Sequence, residues 1–302
     1  MEETLLEILA NLRESIGLSI KEIRKRKKLT QEEFIQDLGS RRQLGIYEGG
    51  KKSMPLEELL VLLNERNIST EEFFYLMDNE HISIREILSL DLSWNIARRN
   101  LDGLKKIKKK ALNLYETQGT VFFLHTAAMA QANITLLNTN NDYEAARKEI
   151  TSVKEYLLTS NSFFFYDLIL LSQCLFLFEI KDALSLVKKG VTTLDEHYDF
   201  YKHKLVGTAL ILNLAIYALD FPEYLRYSLE YSKKAEQSSI DQNSLAGSVL
   251  SQIIYQVACF KIGNGLYDYG RLVELLEIYK TCGWLTDYEQ NKVFIEKHGI
   301  RL

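Results

Sequence analysis

The chain has 302 residues, 46% hydrophobic and 26% charged, which is ordinary for a folded protein and long for one small domain. Two prolines in the whole chain, against a usual share of ~5%, favour helices, because proline breaks helix interiors. The net charge of −4 averages two regions: residues 16–53 carry ten Lys or Arg against five Asp or Glu, +5, leaving −9 elsewhere, the asymmetry of a basic nucleic-acid-binding module on an acidic body.

The first residues, MEETLLEILANLRES, are acidic where a secretion signal would be basic, and Leu5, Leu9 and Leu12 give them an apolar helical face. Next, IGLSIKEIRKRKK places Ile16, Ile20 and Ile23 on one face of a helix of about three turns, with cations elsewhere. Thr30 stands at an N-cap position with Glu33 three residues on, a capping box. It opens a second helix, QEEFIQDL, that buries Phe34, Ile35 and Leu38. Gly39 is expected to end it as a left-handed C-cap.

Ser40 caps a third helix whose inward residues are Leu44 and Tyr47. Arg41, Arg42 and Gln43 are left outward near its start. A helix entering the major groove uses such N-terminal residues on base edges, and Arg and Gln suit guanine and adenine. Two more helices fit SMPLEELLVLLNERN, capped by Ser53 with Pro55 in its first turn, and STEEFFYLM, capped by Ser69 with Glu72 three residues on. Gly45, inside the third helix, has two readings: close packing of the second helix on the third, or close approach of DNA. Arg24 and Lys28 in the first helix are either part of a solvated face or further phosphate contacts.

Beyond residue 78 the pattern becomes long helices with little between them. Four apolar stretches begin at Val121, Phe163, His203 and Gln242, spaced 42, 40 and 39 residues apart, and each is followed by a more charged helix. A hairpin repeating every ~40 residues, with no unit able to bury its own face, predicts a solenoid. Residues 82–115 supply an irregular first hairpin and residues 284–298 a capping helix. The eleventh residue of every stretch is an amide: Gln131, Gln173, Asn213 and Gln252. A buried amide must hydrogen-bond or face a cavity. Either these four form a ladder for the main chain of an extended peptide, with Asn133, Tyr217, Tyr255 and Phe123 adding side-chain pockets, or they join adjacent helices. KKIKKK at 105–110 reads as an exposed helix face.

Cys174, Cys259 and Cys282 have neither metal-ligand nor disulfide spacing, so buried thiols in a reducing compartment are expected. No apolar run reads as long enough for a membrane span, and a cytosolic protein is expected. No phosphate loop, nucleophile elbow or metal-ligand pattern appears, so neither catalytic activity nor a metal or cofactor is expected.

The capped helices, with Thr-Gln-Glu-Glu opening the second and Tyr-Glu-x-Gly closing the third, resemble the phage-repressor-like helix-turn-helix family. Ser40-Arg-Arg-Gln-Leu-Gly-Ile-Tyr-Glu is similar to the Ser-Lys-Ser-Gln-Ile-Ser-Arg-Phe-Glu helix of the Rgg/GadR/MutR regulators of Gram-positive bacteria, departing at Gly45 and Ile46. FFFYDLILLSQ looks like their Trp-x-x-Tyr-Glu-Leu-x-Leu-Phe-x-Asn stretch, with Tyr166, Asp167 and Leu168 in step and Gln173 for Asn. The resemblance implies an all-α chain: a five-helix DNA-binding domain over 1–78, then a right-handed tetratricopeptide-like solenoid over 79–302 that binds a short signalling peptide and dimerises. It implies Gln31 on a phosphate, Arg41, Arg42 and Gln43 on bases, and Lys51 and Lys52 on backbone phosphates. The expected partners are double-stranded promoter DNA, the peptide and a second copy, with no membrane. A constitutive dimeric regulator and a protein–protein scaffold, both without a peptide, are the alternatives.

Overall fold

The computed structural model describes residues 2–77, 84–139, 141–196, 201–263 and 265–302; these hold seventeen α-helices and no strand. Its contacts divide the chain into two units, 1–90 and 91–302. The boundary expected at residue 78 lies outside the described residues.

In the first unit, α1 (Glu2–Arg26) is one continuous helix where a separate start near Ile16 was expected. It is followed by α2 (Gln31–Ile35), a 3-10 turn (Gln36–Leu38), α3 (Arg41–Glu48), α4 (Leu56–Glu65) and α5 (Thr70–Met77). Ile20, Ile23, Phe34, Leu44, Leu62 and Phe73, each at most 3% exposed, form its core. Burial of each large apolar side chain contributes roughly 1.5–3 kcal/mol. The capping boxes at Thr30–Glu33 and Ser69–Glu72 are formed. Ser53 is not a cap: α4 starts at Leu56 with Pro55 before it and no side-chain cap bond. Gly39 is not left-handed either. Its φ of 165° is extended backbone, and a Cβ there would lie 3.0 Å from Ile35 Cδ1, tighter than ordinary contact.

The division between units falls within α6 (Ile84–Ala97). The second unit then runs α7 (Leu101–Gln118), α8 (Val121–Asn138), α9 (Tyr143–Glu149), α10 (Thr151–Thr159), α11 (Phe165–Cys174), α12 (Ile180–Glu196), α13 (Tyr201–Ala218), α14 (Leu225–Asp241), α15 (Leu245–Ile262), α16 (Tyr269–Thr281) and α17 (Leu285–Lys297). Successive helices pack as hairpins, with the apolar helices α11, α13 and α15 also in sequential contact. One expected helix is broken: Ile150, 1% exposed, turns inward between α9 and α10.

Side-chain cations tie the hairpins together by meeting helix-end carbonyls, which are otherwise unpaired. Arg147 donates to the Leu177 carbonyl (3.1 Å), Lys189 to those of Leu157 (3.3 Å) and Ser160, and Lys261 to that of Leu219 (2.6 Å). Lys105, Lys106, Lys109 and Lys110 are exposed along α7. Cys174 and Cys259 are buried, whereas Cys282 is exposed, contrary to expectation. One further correction concerns α15: its 18 residues have the length and mean hydropathy (1.3) of a membrane span. It is a core helix packed between α14 and α16, with Ile253, Ile254 and Val257 at 0% exposure.

Candidate nucleic-acid and peptide sites

The third helix is oriented by one carboxylate. Glu48, at its C-terminal end and 5% exposed, accepts from Arg24 Nε (2.5 Å) and Nη2 (3.0 Å) on α1 and from Gln31 Nε2 (2.9 Å) on α2. Arg24 gives its Nη1 to the Leu29 carbonyl (3.0 Å). The hydrogen bond to Glu48 is the main cause raising the Arg24 guanidinium above its ordinary value. Arg24 is therefore spent inside the unit, and this takes it out of the outward row of cations. Sequence spacing concealed this hub, because Arg24 and Gln31 lie 24 and 17 residues from Glu48.

With Leu44, Tyr47 and Glu48 turned inward, Arg41, Arg42 and Gln43 are exposed. Arg41 and Arg42 make no hydrogen bond or ion pair among the described residues. Gln43 differs: its Oε1 accepts from the Ser40 N–H (3.3 Å) while Ser40 Oγ accepts from the Gln43 N–H (3.2 Å), a second capping box in this motif. Its carboxamide is a cap as well as an outward group. Lys28, Lys51 and Lys52 are exposed around the same unit. Gly45 is exposed, and a Cβ there would meet Gln31 Nε2 alone, at 3.7 Å, so close helix packing does not require glycine at this position.

In the repeat unit the four amides are half-buried and each is bonded within the protein. Gln131 accepts from Lys108 Nζ (2.8 Å) and donates to Thr135 Oγ1 (3.2 Å) and Glu149 Oε1 (3.4 Å). Gln173 donates to Ser93 Oγ (3.2 Å), Asn213 to the Ser172 carbonyl (3.1 Å), and Gln252 accepts from Arg271 Nη2 (2.8 Å). No amide of the four bonds another among the described residues. They join neighbouring helices, so equal register in the repeats does not make a continuous ladder. Asn133 donates back to the Met129 carbonyl (2.9 Å), the local bond of a helical Asn.

Two expected pocket residues are core residues instead. Phe123 is 1% exposed, and Tyr217, 7% exposed, donates to the Phe178 carbonyl (2.7 Å). Burial raises the Tyr217 phenol above its ordinary value. Tyr255 is half-buried under Lys233, whose Nζ lies 5.1 Å from the ring centre.

A cleft the repeats did not announce lies on another side of α15. Ile216 of α13, Ala246, Gly247 and Leu250 of α15, Tyr279 of α16 and Asp287, Gln290, Asn291 and Phe294 of α17 enclose about 370 Å³. It is apolar along α13 and α15 and polar along α17, the mixture usual for a ligand pocket. Tyr279 in its lining donates to the Ala246 carbonyl (3.2 Å). Burial foremost, with Asp287 nearby, pushes its phenol up to about 12.

Comparison with known proteins places this architecture. The sequence model of "HTH-type transcriptional regulator Rgg, C-terminal domain" matches residues 101–263, more than half of the chain. The structure is similar to that of a cysteine-to-serine variant of the SHP pheromone receptor Rgg2 of Streptococcus dysgalactiae, at 20% identity over 94% of this chain and 99% of that one, TM-score 0.74. It is similar to a protein of Listeria monocytogenes EGD-e described as a transcriptional regulator, at 18% identity over 96% and 100% of the chains, TM-score 0.80. It also resembles PlcR of Bacillus thuringiensis, solved with the peptide PapR7 and DNA, at 16% identity over 95% and 100%, TM-score 0.63. The fold is thus the helix-turn-helix with tetratricopeptide-like repeats that the sequence resemblance implied. The chain belongs to the Rgg family of helix-turn-helix transcriptional regulators.

Proposed function

We propose that this regulator binds double-stranded promoter DNA sequence-specifically as a homodimer, and that its repeat unit senses a short signalling peptide as in quorum sensing. One observation carries the first half: Arg41 and Arg42 stand exposed and unpaired, among the described residues, on the first turn of a helix anchored from behind by Glu48. Guanidinium groups on that turn suit guanine edges in the major groove. Gln31, Lys28, Lys51 and Lys52 of the same unit serve as phosphate contacts, which position the helix without reading sequence. Two copies on one face of a duplex read half-sites ~34–36 Å apart or a multiple of that. The first unit is assigned to DNA, the second to the peptide and to dimerisation.

For the peptide, the cleft between α13, α15, α16 and α17 seats an apolar side chain against Ile216, Leu250 and Phe294. Outside that cleft's lining, Asn213 Oδ1 and the amide nitrogen of Gln252 have no hydrogen bond among the described residues and suit main-chain groups of a peptide that extends beyond it. Peptide bound to one of two arrangements of the repeats shifts their populations and hence DNA binding. Rgg2 is described as a pheromone receptor and PlcR was solved with both ligands, which supports the reading.

A constitutive regulator without a peptide is the second reading, favoured by the pairing of all four amides inside the protein. Two measurements decide. Binding to the protein's own upstream DNA should weaken, and its salt dependence flatten, in an Arg41→Ala, Arg42→Ala variant; unchanged binding sinks the DNA reading. Native mass spectrometry after incubation with the peptide fraction of spent medium should show a retained peptide, less so in Phe294→Ala. No retained peptide supports the constitutive regulator.

A further inference from the structure

We propose that Gly45 is a DNA-contact residue: its bare α-carbon on the outward face of α3 lets the helix seat deeply enough for Arg41 and Arg42 to reach base edges. This deepens the DNA-binding reading and rests on it.

What a Cβ would meet differs among fourteen of the chain's fifteen glycines. At Gly17 and Gly50 it would press into the backbone of Tyr47 and Glu14, so packing demands glycine there, and at Gly103 and Gly247 it would press into the side chains of Asn95 and Ser239, which would have to shift. At Gly39, Gly49, Gly190 and Gly270 it would lie 3.0–3.3 Å from a neighbour, tighter than ordinary contact. Gly119, Gly263, Gly265, Gly283 and Gly299 have φ between 66° and 90°, where glycine escapes the steric penalty of other residues. Gly45 meets none of these conditions. It is inside a helix, exposed, and its Cβ would touch Gln31 Nε2 alone at 3.7 Å.

Glycine is the poorest helix former after proline, so α3 carries this residue with no return from folding. Its surroundings are those of a contact. Gly45 lies one turn beyond Arg41 on the exposed side. Beside it, the Gln31 amide gives one N–H to Glu48 and holds a second N–H with no partner among the described residues. A duplex pressed against Gly45 meets that N–H and the two guanidinium groups together. A methyl group at Gly45 would hold the duplex off by about the thickness of one carbon, enough to carry hydrogen bonds out of the ~2.7–3.2 Å range in which they form.

The test uses full-length protein and a duplex that it selects from a random-sequence pool. Gly45→Ala is expected to raise the unfolding midpoint by several degrees and to weaken binding of the selected duplex roughly tenfold or more. A stabilised Gly45→Ala protein that binds the selected duplex as tightly as the original overturns the inference. Loss of stability overturns it equally, because packing alone would then explain the glycine. The double variant Arg41→Ala, Arg42→Ala separates the levels. If it binds the selected duplex unchanged, or if no duplex is selected at all, the DNA-binding reading itself fails; if it loses binding while Gly45→Ala is silent, only the Gly45 inference falls.

Discussion

Arg24 and Glu48 face each other through two parallel hydrogen bonds, Nε to Oε1 at 2.5 Å and Nη2 to Oε2 at 3.0 Å, with the carboxylate 5% exposed. Because Gln31 adds a third bond, α1, α2 and α3 are pinned at one side chain. Glu48→Ala leaves a guanidinium that is 14% exposed without its counter-charge, a loss of about 3 kcal/mol. Glu48→Gln keeps an acceptor and should cost less. Urea unfolding together with hydrogen exchange of the α3 amides measures both, and equal stability of the alanine variant and the original would show the pair to be ornamental.

Glycine also sets how closely α1 approaches α3. A Cβ on Gly17 would overlap the Tyr47 carbonyl, and one on Gly50 would lie 2.9 Å from Glu14 Cα. Gly17→Ala should destabilise the first unit by about 2 kcal/mol through forced separation of the helices. Gly50→Ala adds to its own clash a left-handed φ of 65° that costs alanine about 1–2 kcal/mol. Midpoints of chemical unfolding give both values, and an unshifted Gly17→Ala midpoint refutes the close contact.

What was legible in the sequence was local. The boxes at Thr30–Glu33 and Ser69–Glu72 could be read because cap and partner lie three residues apart. The same spacing at Ser40–Gln43 was visible too, but a glutamine on an outward face serves a cap or a base equally well, and geometry alone shows its oxygen accepting from Ser40. The repeat period survived in the fold because it reports which helix faces are apolar. The direction in which each amide points did not: Asn213 turns to Ser172 of α11 whereas Gln252 turns to Arg271 of α16. Register within a helix fixes angle about its own axis, and the neighbour met there depends on packing. The cleft at Phe294 was illegible for the same reason, since it is made by how α15, α16 and α17 pack on one another and on Ile216 of α13.

Asp167 organises the start of α11. It is 4% exposed, and it accepts from Tyr156 OH (2.7 Å) and from the Phe164 N–H (2.7 Å). Burial first, and then this carboxylate, push the Tyr156 phenol up to about 12. Asp167→Ala removes a cap and leaves the Tyr156 hydroxyl without its acceptor, a cost of about 2–3 kcal/mol. Tyr156→Phe removes one bond and should cost about 1 kcal/mol. Chemical unfolding measures both, and a smaller loss for Asp167→Ala than for Tyr156→Phe would contradict this ordering.

The C-terminal histidine links stability to pH. His298 is 9% exposed, its Nε2 has no hydrogen-bond partner among the described residues, and its ring stands edge-on to Phe294 at 4.8 Å. Burial foremost, with Lys261 and Lys297 adding to it and Asp220 opposing, lowers its pKa from 6.5 to about 4. The folded form therefore resists protonation that the unfolded chain accepts freely. Above 6.5 both states are neutral and the group contributes no slope; between 6.5 and about 4 the unfolded state binds more protons, so stability falls as pH falls. His298→Leu abolishes that term. The variant's unfolding midpoint, taken relative to the original protein at each pH, should rise steadily as pH drops through this window, superimposed on losses from other groups that both proteins share. A difference that stays constant with pH would mean that His298 is protonated as easily in the folded protein as in the unfolded chain.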